Sequence, residues 1–162
     1  MYGPRSSVQL ELSVANGLLM GATSSSKPGP PLTLDAELGL RIWRPRIVDG
    51  GGRPVVLLAV RGGHSFYDSR NTVFGISGLG AELWRLTILA TIGFGMGFPA
   101  GLKPQPTLPV GVRMSIHLGP LDLGFAYDRL FQFGSLDNLI NARGGLPGCF
   151  SLFVTRTFDV TD

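Results

Sequence analysis

The chain has 162 residues, the size of one domain with a substantial core, so we predict a single domain over residues 1–162. Only 15% of the residues are charged, against roughly a quarter in typical soluble domains, and 24 Gly and 12 Pro are spread along the chain. A net charge of +3 from scattered arginines, with no basic run, argues against binding to nucleic acid. A single cysteine, Cys149, excludes an intramolecular disulfide and any CxxC-type metal or redox motif.

Two strands are predicted at the beginning of the chain, because apolar residues there occupy every second position. In residues 7–21 the apolar face consists of Val8, Leu10, Leu12 and Val14. In residues 32–44 it consists of Leu32, Leu34, Ala36, Leu38, Leu40 and Ile42, and the opposite face carries Asp35, Glu37 and Arg41. Pairing the two strands about the centre of the polar loop between them, residues 22–31, predicts that Glu11 lies opposite Arg41.

The middle of the chain contains two further predicted strands, residues 55–61 and 72–80, whose apolar residues lie on both faces. The sequence therefore leaves their orientation open. The polar segment between them, residues 62–71, predicts a loop, and the Gly- and Pro-containing residues 45–54 predict a turn region. We also predict a brief turn near residues 80–81.

Residues 82–98 form an apolar stretch that, extended to residue 102, is long enough for a transmembrane helix. Its glycines alternate strictly with large apolar residues, in the order Gly93, Phe94, Gly95, Met96, Gly97 and Phe98. Thr87 and Thr91 share the glycine face with Arg85. Because a helix would scatter these residues around its axis, the alternation predicts a strand.

The clearest alternation is in residues 108–133 and predicts a hairpin around Gly119-Pro120. The apolar face includes Val110, Val112, Met114, Ile116, Leu121, Leu123, Phe125 and Tyr127. The other face carries small residues and the charged side chains of Arg113, His117, Asp122 and Asp128. Because His117 and Asp122 are equidistant from the turn, we expect them to lie opposite each other on that face.

Residues 149–158 complete a set of eight predicted strands, and the connections between the strands differ in character. The long polar connections are residues 22–31, 62–71, 99–107 and 134–148, whereas the connections near residues 80 and 119 are tight. This asymmetry is typical of membrane β-barrels, which have short turns at one end and longer loops at the other. An even number of strands places both termini at the turn end.

The last strand, CFSLFVTRTF, ends on the aromatic residue Phe158, and the whole pattern resembles the small eight-stranded outer-membrane β-barrels of Gram-negative bacteria. The resemblance implies an all-β fold, an eight-stranded antiparallel up-and-down transmembrane β-barrel with a polar interior filled by side chains. It implies an outer-membrane location once a signal peptide has been removed, and contacts with membrane lipid and with other envelope proteins. A structural or interaction role is expected, without enzymatic activity and without a large open pore.

In such a barrel one face of each strand meets lipid and the other lines the interior. The residues expected to face lipid are Leu34, Leu38, Leu40, Val112, Met114, Ile116, Leu123 and Phe125. The residues expected to form a charge network in the interior are Glu11, Asp35, Glu37, Arg41, Arg85, Arg113, His117, Asp122 and Asp128. No cofactor or metal is expected, since the sequence contains no GxGxxG motif, no GK[ST] motif and no metal-ligand cluster.

Two alternative functions follow from other interpretations of the same features. A soluble ligand-binding barrel of the lipocalin or avidin type would turn the apolar faces inward, but few charges would then be left for the solvent face. A lipid-modifying hydrolase or acyltransferase of the outer membrane would use His64 with Ser65 near the outer rim, or His117 with Asp122 and Ser115. Ser115 and His117 lie about 7 Å apart along one strand face, so we interpret His117 and Asp122 as a structural ion pair.

Overall fold

In a computed structural model the chain forms a closed antiparallel β-barrel whose eight strands follow one another in sequence order. The structure describes residues 7–20, 29–43, 52–98, 100–101, 103–132 and 148–160. The strands are β1 (Ser7–Met20), β2 (Leu32–Trp43), β3 (Arg53–Ser65), β4 (Arg70–Leu83), β5 (Leu86–Phe98), β6 (Gln105–Leu118), β7 (Leu121–Gln132) and β8 (Gly148–Asp159). The predicted all-β, eight-stranded antiparallel barrel is therefore confirmed. In the described ranges, no helix is long and apolar enough to span a bilayer.

The stagger of the strands can be counted from their register. A row of paired residues runs once around the barrel through Gln9, Arg41, Leu57, Gly78, Thr91, Gly111, Asp128, Cys149 and Leu19. The row leaves β1 at residue 9 and returns to it at residue 19, which is a shear of ten residues. With a rise of about 3.3 Å per residue and about 4.8 Å between strands, the strands tilt by about 40° and the barrel radius is about 8 Å.

Several strands are longer than the sequence indicated, and the loops are correspondingly shorter. The predicted loop 62–71 is reduced to residues 66–69, and β6 already begins at Gln105, within the predicted loop 99–107. The turn expected near residues 80–81 lies instead at residues 84–85, because β4 and β5 pair as far as Leu83 and Leu86. Most of the predicted connections 22–31, 45–54 and 134–148 lies outside the described residues.

Successive side chains of each strand alternate between the interior and the outer surface. On β2, for example, Glu37 points inward and is 4% exposed, while the next residue, Leu38, points outward and is 54% exposed. The polar interior that the sequence predicted fills only part of the lumen. The rest of the lumen, along β2 to β5, is filled by an apolar cluster of Trp43, Val55, Leu57, Ala59, Phe74, Ile76 and Leu89.

This apolar cluster explains why the orientation of two strands was undetermined by the sequence. On β3 the inward residues Val55, Leu57 and Ala59 are as apolar as the outward Leu58 and Val60. Closure of the barrel, which pairs β3 with β2 on one edge and with β4 on the other, decides which set points inward.

Candidate functional site: a charge network inside the barrel

Glu37 lies at the centre of the interior, where it joins two arginines from different strands. Its Oε2 accepts a hydrogen bond from Arg61 Nε of β3 at 2.9 Å, and its Oε1 accepts one from Arg113 Nη1 of β6 at 2.6 Å. Arg113 Nη2 makes a second contact with Glu37, so this pair is bidentate. Arg61 also donates through Nη1 to Asp128 Oδ2 of β7 at 2.6 Å. These contacts connect β2 and β3 with β6 and β7 across the lumen.

A second group of charges, built around Arg41, lies nearer the turn end. Arg41 Nη1 donates to Asp122 Oδ2 at 2.5 Å. Arg41 Nε is 2.8 Å from Glu11 Oε2 but is not aligned for a hydrogen bond, so this contact is electrostatic. His117 Nδ1 contacts the other oxygen of Asp122, as expected from their opposed positions in the hairpin. The side chain of His117 is 43% exposed at the turn end, while Asp122 is fully buried.

Carboxylates outnumber guanidinium groups in these two groups of charges and immediately beside them. Glu11, Asp35, Glu37, Asp122 and Asp128 are the carboxylates, and Arg41, Arg61 and Arg113 are the guanidinium groups. Asp35 is the carboxylate that forms no salt bridge within the described chain; it accepts a hydrogen bond from the Thr33 hydroxyl at 3.1 Å. Gly63 on the adjacent strand provides the space for Asp35, because a Cβ atom there would overlap its carboxylate.

The lumen around these charges is closely filled. The Arg113 guanidinium lies 5.6 Å from the centre of the Phe153 ring, and Ser13 and Thr155 share a hydrogen bond of 2.6 Å. A cavity of about 10 Å³ lies beside Asp35, Glu37 and Arg61, which is room for roughly one water molecule. This cavity has no room for a larger ligand.

Most of the interior residues predicted from the sequence are found in this network, with one exception. Arg85 is exposed in the turn between β4 and β5, with its guanidinium 5.9 Å from the centre of the Trp84 ring. The sequence had assigned it to a strand, but the turn lies at residues 84–85, so Arg85 lies beyond the end of the lumen. The placement of Arg85 in the interior network was therefore wrong.

Arg61 is the member of the network that the sequence interpretation missed. It follows Val55, Leu57 and Ala59 at every second position of β3, and those residues gave no indication of an inward polar face. The available signal was the arginine itself, which lies on the same strand face as the three apolar residues.

The outer surface of the barrel is apolar over most of its height. All eight residues that were expected to face lipid point outward: Leu34, Leu38, Leu40, Val112, Met114, Ile116, Leu123 and Phe125. Met114 is half-buried among its neighbours, and the others are exposed. Among outward positions of the described strands, the Lys, Arg, Asp and Glu residues are Arg129, toward the loop end, and Arg156, near the turn end.

The residues considered for a hydrolytic site do not form one in the described structure. His64 points outward, with Nδ1 2.8 Å from Asn71 Oδ1, while the next residue, Ser65, is buried on the inner face. Ser115 is buried on the same strand face as His117, and in the described structure its hydroxyl makes no hydrogen bond with the His117 ring, which contacts Asp122. Within the described ranges, no group of three His, Cys, Asp or Glu side chains could hold a metal ion.

No protein-family model matches the chain, and a search of curated proteins finds no significant match. The function is therefore inferred from the chemistry of the barrel itself.

Proposed function

We propose that this protein is an integral β-barrel of an outer membrane with a structural or interaction role. One observation carries the proposal: the barrel is inverted relative to a soluble domain, with buried charges inside and exposed aliphatic side chains outside. In water the outward Leu, Val, Ile and Phe side chains would form an apolar belt much larger than the patches that soluble monomers expose. In a bilayer the same belt is the surface that contacts lipid.

The dimensions of the barrel support this proposal. The strands have 12 to 14 residues, whereas strands of globular proteins average about 5 or 6. At a tilt of about 40° and a rise of about 3.3 Å, these strands span about 30–35 Å along the barrel axis. This height covers the apolar band of about 25 Å in transmembrane barrels, with a margin at each end.

The filled lumen supports a role other than conduction or ligand transport. Ion pairs cross it at two levels, through Arg41 and through Glu37, and the apolar cluster occupies the remaining side. An eight-stranded barrel encloses only enough space for its own side chains. The connections after β1, β3, β5 and β7 all leave the barrel at one end, and this rim is the surface offered to other envelope components.

The principal alternative is a soluble ligand-binding barrel. It would need a ligand cavity, and the cavity in the described interior holds about 10 Å³. Its apolar outer belt would also have to remain exposed to water without causing aggregation. A folded, monomeric preparation without detergent would favour this alternative over the membrane barrel.

The test compares the same substitution at two depths of the outer surface. Val112 lies at the middle of β6 and Leu121 at the start of β7, and both point outward with 45% and 40% exposure. In a bilayer, Val112→Arg costs about 2–4 kcal/mol and Leu121→Arg about 0–1 kcal/mol, because the cost of a charge falls toward the interface. The measurement is the fraction of each variant that folds into phospholipid vesicles, assayed by protection from protease.

A soluble barrel gives a different result, because both positions would then face water. Arg at either site would have no effect on folding or would improve detergent-free solubility. The membrane assignment would be refuted if the two variants folded equally well and the wild-type protein did not insert into vesicles.

A further inference from the structure

The turn between β4 and β5 contains a residue that its backbone conformation disfavours. Trp84 and Arg85 form a two-residue hairpin loop between the paired residues Leu83 and Leu86. Trp84 has φ of +60°, and Arg85 does not have a positive φ, which is the pattern of a type II′ turn. Such turns favour glycine at the first central position, because a Cβ atom is strained at positive φ.

The barrel provides its own comparison for this turn. The hairpin between β6 and β7 also has a two-residue loop, Gly119-Pro120, with φ of +71° at its first residue. There the position holds the expected glycine. The chain therefore uses glycine at one of these two turns and the largest side chain at the other.

Contacts within the described chain do not explain the tryptophan. Trp84 is 88% exposed, the highest value among the exposed large hydrophobic side chains. The ring interaction seen in the described structure is with the neighbouring Arg85, whose guanidinium is 5.9 Å from the ring centre. A strained residue that gains so little from its own protein is a candidate for contact with something outside it.

We propose that Trp84 and Arg85 together bind the headgroup region of anionic phospholipids at the turn end of the barrel. This inference rests on the proposed membrane location and adds the lipid chemistry and the end of the barrel concerned. An indole ring is suited to the membrane interface because it is apolar with one N–H donor. The guanidinium group of arginine donates paired hydrogen bonds that match the oxygens of a phosphate.

The surrounding rim has the charge that this partner requires. Arg156 points outward near the turn end, with its guanidinium 5.2 Å from the centre of the Phe158 ring, a second pairing of arginine with an aromatic ring. Two carboxylates also lie at this end and keep their negative charge. Glu82 accepts a hydrogen bond from Trp43 Nε1 and Asp159 accepts one from Gln9 Nε2, each at 2.6 Å. Among the described residues of this end, Arg85 and Arg156 are exposed cations that an anionic surface would attract.

The test uses Trp84 as its own fluorescent reporter. The chain has two tryptophans, so the Trp43→Phe variant leaves Trp84 as the one indole. The variant is inserted into phosphatidylglycerol or phosphatidylcholine vesicles, some carrying bromine labels near the headgroups. We expect blue-shifted emission and bromine quenching, both stronger in phosphatidylglycerol. Arg85→Gln should remove the difference between the two lipids, and added salt should reduce it, since exposed charges are screened.

A second variant provides a test that does not depend on Trp43→Phe folding. Trp84→Gly should raise the urea midpoint of unfolding in an uncharged detergent, because the strain is removed. It should also lower the rate and yield of insertion into phosphatidylglycerol vesicles. A lower midpoint in the detergent would show that the ring stabilises its own barrel and would overturn the proposal.

The outcomes separate this inference from the membrane assignment. If the barrel inserts and Trp84 remains red-shifted and fully quenched by aqueous iodide, the membrane assignment stands and the lipid contact is refuted. If the wild-type barrel does not insert into either vesicle, both proposals fail together.

Discussion

Glu37→Gln is the substitution that most directly tests the interior network. Glu37 is 4% exposed and forms salt bridges with both Arg61 and Arg113. Glutamine has nearly the same shape, so the substitution removes the charge with little change in packing. Arg61 keeps its contact with Asp128, whereas Arg113 keeps no salt bridge among the described residues.

The size of the effect follows from leaving one buried guanidinium unpaired. Breaking a buried ion pair by removing one partner costs about 3–5 kcal/mol. The glutamine oxygen can still accept a hydrogen bond, which returns about 1 kcal/mol. We therefore expect the free energy of unfolding to fall by about 2–4 kcal/mol. This agrees with a Coulomb energy of about 4 kcal/mol for unit charges 4 Å apart at an effective dielectric constant of 20.

Asp35→Asn is the matched control, because Asp35 lies on the same face of the same strand. It contacts the Thr33 hydroxyl and has no salt bridge in the described structure, so its loss should change stability by about 1 kcal/mol or less. Both variants are unfolded with urea from the same detergent micelles, where 2–4 kcal/mol corresponds to a midpoint shift of about 1–2 M at an m value near 2 kcal/mol/M. Equal midpoints for the two variants would mean that Glu37 does not hold the two arginines.

Two further predictions concern packing and conduction. Gly124→Ala should lower the free energy of unfolding by about 1–3 kcal/mol, because the added Cβ would overlap a backbone carbonyl oxygen of β6 and the Phe153 ring. The outward Gly75→Ala is the control, since its Cβ would meet its nearest atom at 3.8 Å and should leave stability almost unchanged. Both are measured by the midpoint of urea unfolding. The wild-type barrel should show no stable conductance in planar-bilayer recordings because its lumen is filled, and uniform long-lived channels of nanosiemens size would contradict the closed interior.

The register predicted from the sequence was correct where two strands are joined by a tight turn and wrong where they are joined by a long loop. His117 and Asp122 pair as expected, since a two-residue turn fixes which residues face each other. Glu11 was expected opposite Arg41, but the observed pairs are Gln9 with Arg41 and Glu11 with Gly39. The centre of the long loop was misplaced by one residue, which shifts the register by two and leaves the face of every side chain unchanged. Arg41 still reaches Glu11 diagonally across the two strands.

The sequence by itself determined the two faces of β1, β2, β5, β6 and β7, because alternation with period two is local and needs no partner. The count of eight came from the segments between turns, and the antiparallel order was implied by the resemblance to small membrane barrels. The sequence did not determine the faces of β3 and β4, or show that Arg61 belongs to the charge network. Where the lumen is filled by apolar side chains, both faces of a strand are apolar, and the sequence cannot distinguish the inward face from the outward one. It also placed Arg85 inside, since the end of a strand depends on how far its neighbour continues to pair. These features were decided only when the barrel closed, because closure fixes the stagger of all eight strands and brings charges distant in sequence within ion-pair distance.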